Sequence, residues 1–286
     1  MTLSYKKRDL KFRNKGYIKN IGSIEEVSEI CCIQNSLVKP KQAQVQPARV
    51  ESMLAFKLEI LEKFNHGKFI AGVAVTEDNS LFLCDFQKIR DNLYVFKINP
   101  PNLTYRQTLS LPSAPYGLSV LTGTDKAIVT LPKSHLVGQK CYGITTTGDY
   151  IAVGKTSEIK ILKSNGECIR TIVIADLSRY ISFLHYNHND DSIIYRTLGM
   201  VNRIQLDGTL LYSYAVPGEG GIAVDKQGHV YMSKCFKSEI QRLLPDWRDH
   251  DVVMRIKTPF AVAFNESCTK FAVTNITGLV QIYSCK

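Results

Sequence analysis

No stretch of this 286-residue chain approaches the roughly 18 consecutive apolar residues of a membrane-spanning helix, so none is expected. The opening Met-Thr-Leu-Ser-Tyr-Lys-Lys-Arg has no apolar run behind its charges, which predicts no signal peptide and a cytoplasmic protein. None of the eight cysteines forms a C-x-x-C pair, which excludes the usual zinc finger and the thioredoxin-like redox motif. Cys31 and Cys32 are adjacent; Cys84, Cys141, Cys168, Cys235, Cys268 and Cys285 are scattered, mostly in or beside apolar runs, and read as reduced thiols packed as small hydrophobes. A Gly-rich phosphate loop, a G-x-S-x-G elbow and an H-E-x-x-H pair are all missing, so no familiar catalytic signature is present. The single tryptophan, Trp247, follows Pro245-Asp246 and reads either as an exposed binding aromatic or as a packed loop residue. Sequons at Asn102, Asn265 and Asn275 carry weight only in a secreted protein.

What is present is ordinary in bulk and informative in arrangement. A hydrophobic content of 44% and a charged content of 22% suit a soluble domain able to bury a core without staples. The net charge is +10, and residues 1–20 carry seven basic side chains against one acidic. That tail reads as a solvated arm; its alternative use is counterion-driven attraction to RNA or acidic surfaces.

One pattern recurs: a small residue, a short apolar strand, a polar turn, then a second apolar strand. It is clearest in Gly221-Ile-Ala-Val-Asp-Lys-Gln-Gly-His-Val-Tyr-Met. Copies begin at Gly72, Gly117, Gly143, Ile181, Gly221 and Ala261, with spacings of 45, 26, 38, 40 and 40 residues. A period near 40 with four short strands per unit predicts a β-propeller. Asn165-Gly166 and Asp207-Gly208 stand where a third strand must turn into a fourth, and these pairs suit two-residue hairpins. The 26-residue interval has room for two strands and a turn, not four. It predicts an abbreviated blade with an exposed edge and reduced stability, or a sequence shortened at that point.

The final unit has only three strands before the chain stops. Residues 54–64 alternate apolar and polar side chains, although Met53, Phe56, Ile60 and Phe64 also fit a helix. The expectation is a strand that closes the ring as the missing outer strand. Residues 1–50 belong to no repeat, and 34–50 read as a flexible linker. The predicted fold is all-β: a six-bladed β-propeller over 54–286 with one abbreviated blade, preceded by an irregular basic arm over 1–50.

Gly221–Met232, with the continuation Ser238-Glu-Ile-Gln-Arg-Leu, resembles the NHL repeat, and the resemblance covers about residues 54–286. Together with Cys141-Tyr-Gly-Ile-Thr, Ile151-Ala-Val-Gly and Val262-Ala-Phe-Asn, the set is similar to the C-terminal propeller of tripartite-motif proteins. The Asn-His-Leu triplet is absent, as are the RING, B-box and coiled coil, so the family's ubiquitin ligase activity is not implied. The resemblance implies the substrate-recognition half: a noncatalytic module binding protein or, alternatively, RNA, monomeric without the coiled coil.

Two groups invite a chemical reading. His185, His188, Asp190 and Asp191 form the densest set of potential metal ligands, in a turn where Asn and Asp are favoured for geometry alone. Asp225 could serve as a calcium ligand in a lactonase-like propeller hydrolase, but its equivalents in other repeats are Thr76, Leu121 and Asn265. Both read as structural. The sequence assigns no catalytic, cofactor-binding or metal residues, and no cofactor, membrane or small-molecule substrate is expected.

Overall fold

The computed structural model describes residues 16–20, 23–27, 58–65, 69–86, 91–100, 102–121, 127–132, 140–147, 150–174, 180–187 and 190–285. Strands β1 (Gly16–Asn20) and β2 (Ser23–Val27) form a hairpin, and β3 (Leu58–Asn65) follows. Next come β4 (Ile70–Val75), β5 (Ser80–Phe86), β6 (Asp91–Asn99) and β7 (Asn102–Ser110), then the short pair β8 (Leu118–Val120) and β9 (Ala127–Val129). A second set of four is β10 (Ile144–Thr146), β11 (Tyr150–Gly154), β12 (Glu158–Lys163) and β13 (Cys168–Val173). A third is β14 (Phe183–Asn187), β15 (Ser192–Thr197), β16 (Met200–Gln205) and β17 (Leu210–Ala215). The fourth is β18 (Ile222–Val224), β19 (Val230–Lys234), β20 (Glu239–Leu243) and β21 (His250–Arg255). The chain ends with β22 (Pro259–Phe264), β23 (Lys270–Asn275) and β24 (Leu279–Cys285).

These strands make an all-β propeller. The inner strands β4, β8, β10, β14, β18 and β22 touch their neighbours in turn, and β22 returns to β4, so they surround one axis. In the sheets β4–β7, β10–β13, β14–β17 and β18–β21 the outer strand is the most exposed. In the first, β4 is buried throughout whereas the outer strand β7 is mostly exposed. Inner strands are covered on both faces by adjacent sheets, so they read as continuous apolar runs rather than as alternation.

Five blades, rather than six, are complete. The 26-residue interval yields only the hairpin β8–β9, because two strands and a turn use up its length. The sheet at that position has the order β2-β1-β9-β8. β1 pairs antiparallel with β9 through Tyr17↔Val129, Ile18↔Ile128 and Lys19↔Ala127. This corrects two expectations. Residues 16–20 and 23–27 of the basic arm are strands rather than irregular chain, and the edge of β9 is covered rather than exposed. The remainder of residues 1–50, with the linker 34–50 and Cys31-Cys32, lies outside the described residues.

The last sheet has the order β22-β23-β24-β3. β3 pairs with β24 from Leu279↔Asn65 to Cys285↔Leu58, so residues from before the first repeat form the outer strand of the last blade. A side-chain staple ties the same two regions at the axis. Thr274 Oγ1 accepts from Ala261 N at 3.1 Å and donates to the carbonyl of Ile70 at 3.1 Å. Thr130 repeats the device, accepting from Gly117 N and donating to the carbonyl of Tyr142.

The leading glycines of the repeat now have a reason. A Cβ on Gly72 would collide with the carbonyl oxygen of Tyr116, and one on Gly117 with that of Tyr142. One on Gly221 would meet Val262 N and Phe260 O at 2.8 and 2.9 Å. At the starts of the inner strands the backbones of neighbouring sheets therefore meet without room for a side chain.

Candidate functional site

Chain direction gives the ring two ends. Inner strands start at the end where each sheet is linked to the next, called here the linker end. They finish at the opposite, turn end, where the first strand turns into the second.

The linker end is closed by aromatic rings. Tyr116 meets Phe86, Tyr142 and Phe260 edge-on, with ring centroids 5.0, 5.4 and 6.4 Å apart, and Phe183 at a tilt, 5.9 Å away. Phe260 in turn packs on Phe69 at 4.8 Å and Phe183 at 5.8 Å. Edge-to-face contacts of this kind add about 0.5–1.5 kcal/mol per pair beyond the area buried. Arg196, fully buried at this end, donates to the carbonyls of Ser233 at 2.8 Å, Gly218 at 3.1 Å and Gly221 at 3.3 Å, joining two blades. Burial lowers its pKa to about 10, against the raising effect of Tyr116 and Glu219, so it remains a cation at neutral pH.

Toward the turn end the inner strands enclose an open funnel of about 1290 Å³. Its wall takes residues from all six inner strands, among them Val73, Leu118, Thr145, Phe183, Val224 and Val262. Its mouth carries Glu77, Asp78, Asp225 and Glu266, with Lys226 and His185 as the basic groups. Concave, mostly apolar cavities with a few polar groups are the usual form of a binding site.

Three of the mouth carboxylates, Asp225, Asp78 and Glu77, are held in place. Asp225 Oδ1 accepts from Gln227 N at 2.9 Å and His229 N at 3.0 Å, and its Oδ2 lies 2.8 Å from His229 Nδ1 and 3.1 Å from the Tyr231 hydroxyl. Burial acts to raise the Asp225 pKa, but hydrogen bonds and charge from His229 prevail and leave it below the ordinary value. Asp78 is likewise lowered: partial burial opposes, and the ion pair with Lys97 at 2.8 Å together with Thr76 and Ser80 prevails. Glu77 accepts from Ser267 N and Oγ at 2.5 and 2.9 Å, joining the first blade to the last at the mouth.

The residues singled out from sequence fall on this end, mostly as turn formers. Asn265 Oδ1 accepts from Lys270 N at 2.7 Å, and Thr76 Oγ1 from Ser80 N at 2.9 Å, while Leu121 lines the wall. Calcium would need oxygen ligands converging from several blades, and Asp225 and Asn265 already spend their oxygens on their own turns; these residues do not fit the ion. His185 faces the funnel, whereas His188 lies outside the described residues. Asp190 accepts from Asn187 Nδ2 and Ser192 Oγ at 2.8 and 2.6 Å and pairs with Arg203; Asp191 accepts from the Tyr186 hydroxyl. Burial and Asp191 push that tyrosine's pKa up to about 12. Among the described residues no group of three or more His, Cys, Asp or Glu side chains is arranged to hold a metal ion.

Trp247 is buried, not an exposed platform: its ring stacks on Tyr212 at 5.7 Å and an interplanar angle of 17°. Sequon residues Asn265 and Asn275 are buried, whereas Asn102 is exposed. All six described cysteines are free, and Cys84 and Cys168 are buried. Burial raises the thiol pKa of Cys84, Cys235, Cys268 and Cys285, which keeps them protonated and unreactive.

The likenesses to solved structures agree with this geometry. The fold is a β-propeller. It is similar to a structural genomics protein of unknown function from Bacteroides thetaiotaomicron, at 11% identity and a TM-score of 0.65, over 95% of this chain and 90% of that one. It is also similar to virginiamycin B lyase from Staphylococcus aureus, at 14% identity and a TM-score of 0.52, over 80% and 88% of the two chains. At such identities the likeness shows the fold alone. No protein-family model and no curated protein sequence matches the chain.

The funnel itself was not found by reading the sequence. Its wall comes from six segments up to about 190 positions apart, as Glu77 and Ser267 illustrate. The available signal was the small residue opening five of the six repeats, which marks where the inner strands converge.

Proposed function

We propose that the chain is a noncatalytic recognition module that binds a protein segment in the funnel at the turn end. The observation that carries this reading is a wide, apolar-walled concavity built from all six inner strands, with carboxylates at its mouth from three adjacent blades. Three of the described acids at its mouth are engaged: Asp225 by its own turn, Asp78 by Lys97 and Glu77 by Ser267. A site of this kind offers surface rather than reagents. Among the described residues the mouth has four carboxylates against Lys226 and His185, which suits a segment that presents Lys or Arg beside apolar side chains and disfavours a polyanion such as RNA. The resemblance of Gly221–Met232 to NHL repeats supports a substrate-selecting role of the tripartite-motif kind, and the buried free thiols suit a reducing cytoplasm.

The test is a peptide array probed with the wild-type chain and the double variant Glu77→Lys, Glu266→Lys. Basic–apolar peptides should be retained by the wild type, lost with rising salt, and lost in the variant. Retention of acidic peptides alone, or equal binding by both proteins, would overturn the reading.

A further inference from the structure

We propose that the linker end carries a second docking surface, for a partner-protein segment in which apolar side chains alternate with carboxylates. The proposal is independent of the funnel, which opens at the opposite end of the axis.

The turns joining second to third strands lie at the linker end. In three successive blades the apex of this turn is an exposed apolar residue: Leu198 at 45% exposure, Phe236 at 82% and Ile276 at 43%. The corresponding turn of the preceding blade has Thr156 there, so among the described turns the apolar apices form an arc over three adjacent blades. Other large exposed apolar residues, such as Tyr105, Val173 and Leu210, sit singly on outer strands around the side of the molecule. Scattered residues of that sort need no partner, whereas three in the same turn of adjacent blades make a repeated feature.

The apices are held in place. The Phe236 ring lies against Gly218 of the preceding linker, where a Cβ would stand 2.6 Å from two of its carbons, so only glycine leaves the ring its seat. Ile276 N donates to the carbonyl of Thr258 at 3.2 Å, and Asn275 Nδ2 to that of Lys257 at 3.1 Å. Lys257 therefore stands beside Ile276, as Lys237 stands beside Phe236.

Charge selects the partner. Around the arc are the exposed cations Lys237, Arg255 and Lys257, with the buried cations Arg196 and Lys234 behind them. The described carboxylates nearby are already engaged: Glu239 pairs with Arg255 at 3.5 Å, and Glu219 accepts from the Tyr180 hydroxyl. No described carboxylate pairs with Lys237 or Lys257. Burial, then the neighbouring charges of Lys237 and Arg196, lowers the pKa of Lys234, as expected where positive charge accumulates.

An arc of apolar apices interleaved with lysines matches a linear segment with the complementary alternation. RNA would satisfy the cations but leave Leu198 and Ile276 without apolar contact. A lipid surface would require apices standing clear of the protein, and two of the three are half-buried.

The experiment uses the full chain and two labelled twelve-residue peptides that differ only at their polar positions, one Leu/Phe–Glu and the other Leu/Phe–Gln, read by fluorescence anisotropy. The acidic peptide should bind at least tenfold tighter than the neutral one. Phe236→Asp should weaken it tenfold or more without a change in melting temperature, since that side chain is exposed. Lys237→Glu with Lys257→Glu should abolish the preference, and Glu77→Gln with Glu266→Gln should leave it unchanged. Equal binding of the two peptides, indifference to Phe236→Asp, or Phe236-dependent capture by phosphatidylserine vesicles or oligouridylate in place of the acidic peptide would overturn the proposal.

Discussion

The two ends of the axis are made from the same repeats and differ in what those repeats give up. At the linker end the inner strands start with glycine or another small residue, so backbones touch and aromatic rings from neighbouring segments fill the remaining space. At the turn end the same strands have diverged, and the first turns carry hydrogen-bonding acids instead of rings. One end is invested in closure, and the other is left open with its polar groups held by local turns. Rigidity at the first allows the second to remain a preformed cavity, which lowers the ordering cost of binding.

That contrast can be broken first by emptying the plug. Phe260→Ala removes a ring in contact with Phe69, Phe183 and Tyr116, and should destabilise the protein by about 3–5 kcal/mol in urea unfolding. Adding a single carbon at the same end comes next. Gly117→Ala forces the new methyl against the Tyr142 carbonyl, a rigid backbone atom, and overpacking of this type costs about 1–3 kcal/mol. Thr274→Val keeps the shape but leaves Ala261 N and the Ile70 carbonyl without their bridge, and should cost about 1–3 kcal/mol by the same measurement.

The turn end should respond more weakly and in a pH-dependent way. Asp78 and Asp225 have folded-state pKa values below those of the unfolded chain, so their stabilising contribution is complete above about pH 4 and fades as acid protonates them. Asp225→Asn should therefore flatten the loss of stability between about pH 4 and 2 while lowering it at pH 7 by no more than about 1–2 kcal/mol. Thermal melts of wild type and variant across that range would show it; an acid profile identical in the two proteins would remove Asp225 from the account.

Much of this architecture was legible because the physics is local. An inner strand buried on both faces, as β4 is, must be apolar, and its start must be small where backbones converge; together these leave a mark in most of the repeats. The hairpins at Asn165-Gly166 and Asp207-Gly208 were equally plain, since Gly166 and Gly208 hold φ of +86° and +93°. The composite sheet was not legible. β1, itself paired with β2, joins β9 more than 100 positions away through backbone pairing, which asks little of the residues involved. Trp247 illustrates a different gap: its position in the sequence left open a platform and a packed residue, and the partner that decides between them, Tyr212, belongs to the neighbouring blade. The funnel needed the radial arrangement of six distant segments, and the arc of Leu198, Phe236 and Ile276 needed three turns to be seen side by side.

The most direct test of the contrast between the ends is to map where a basic–apolar peptide with a photoreactive side chain becomes attached, by cross-linking and mass spectrometry on the whole chain. The funnel account predicts attachment around Val120, Thr146, His185 and Asn265, lost when excess unlabelled peptide is added. Attachment at Tyr180 or Phe236, or spread evenly over the outer strands, would contradict it.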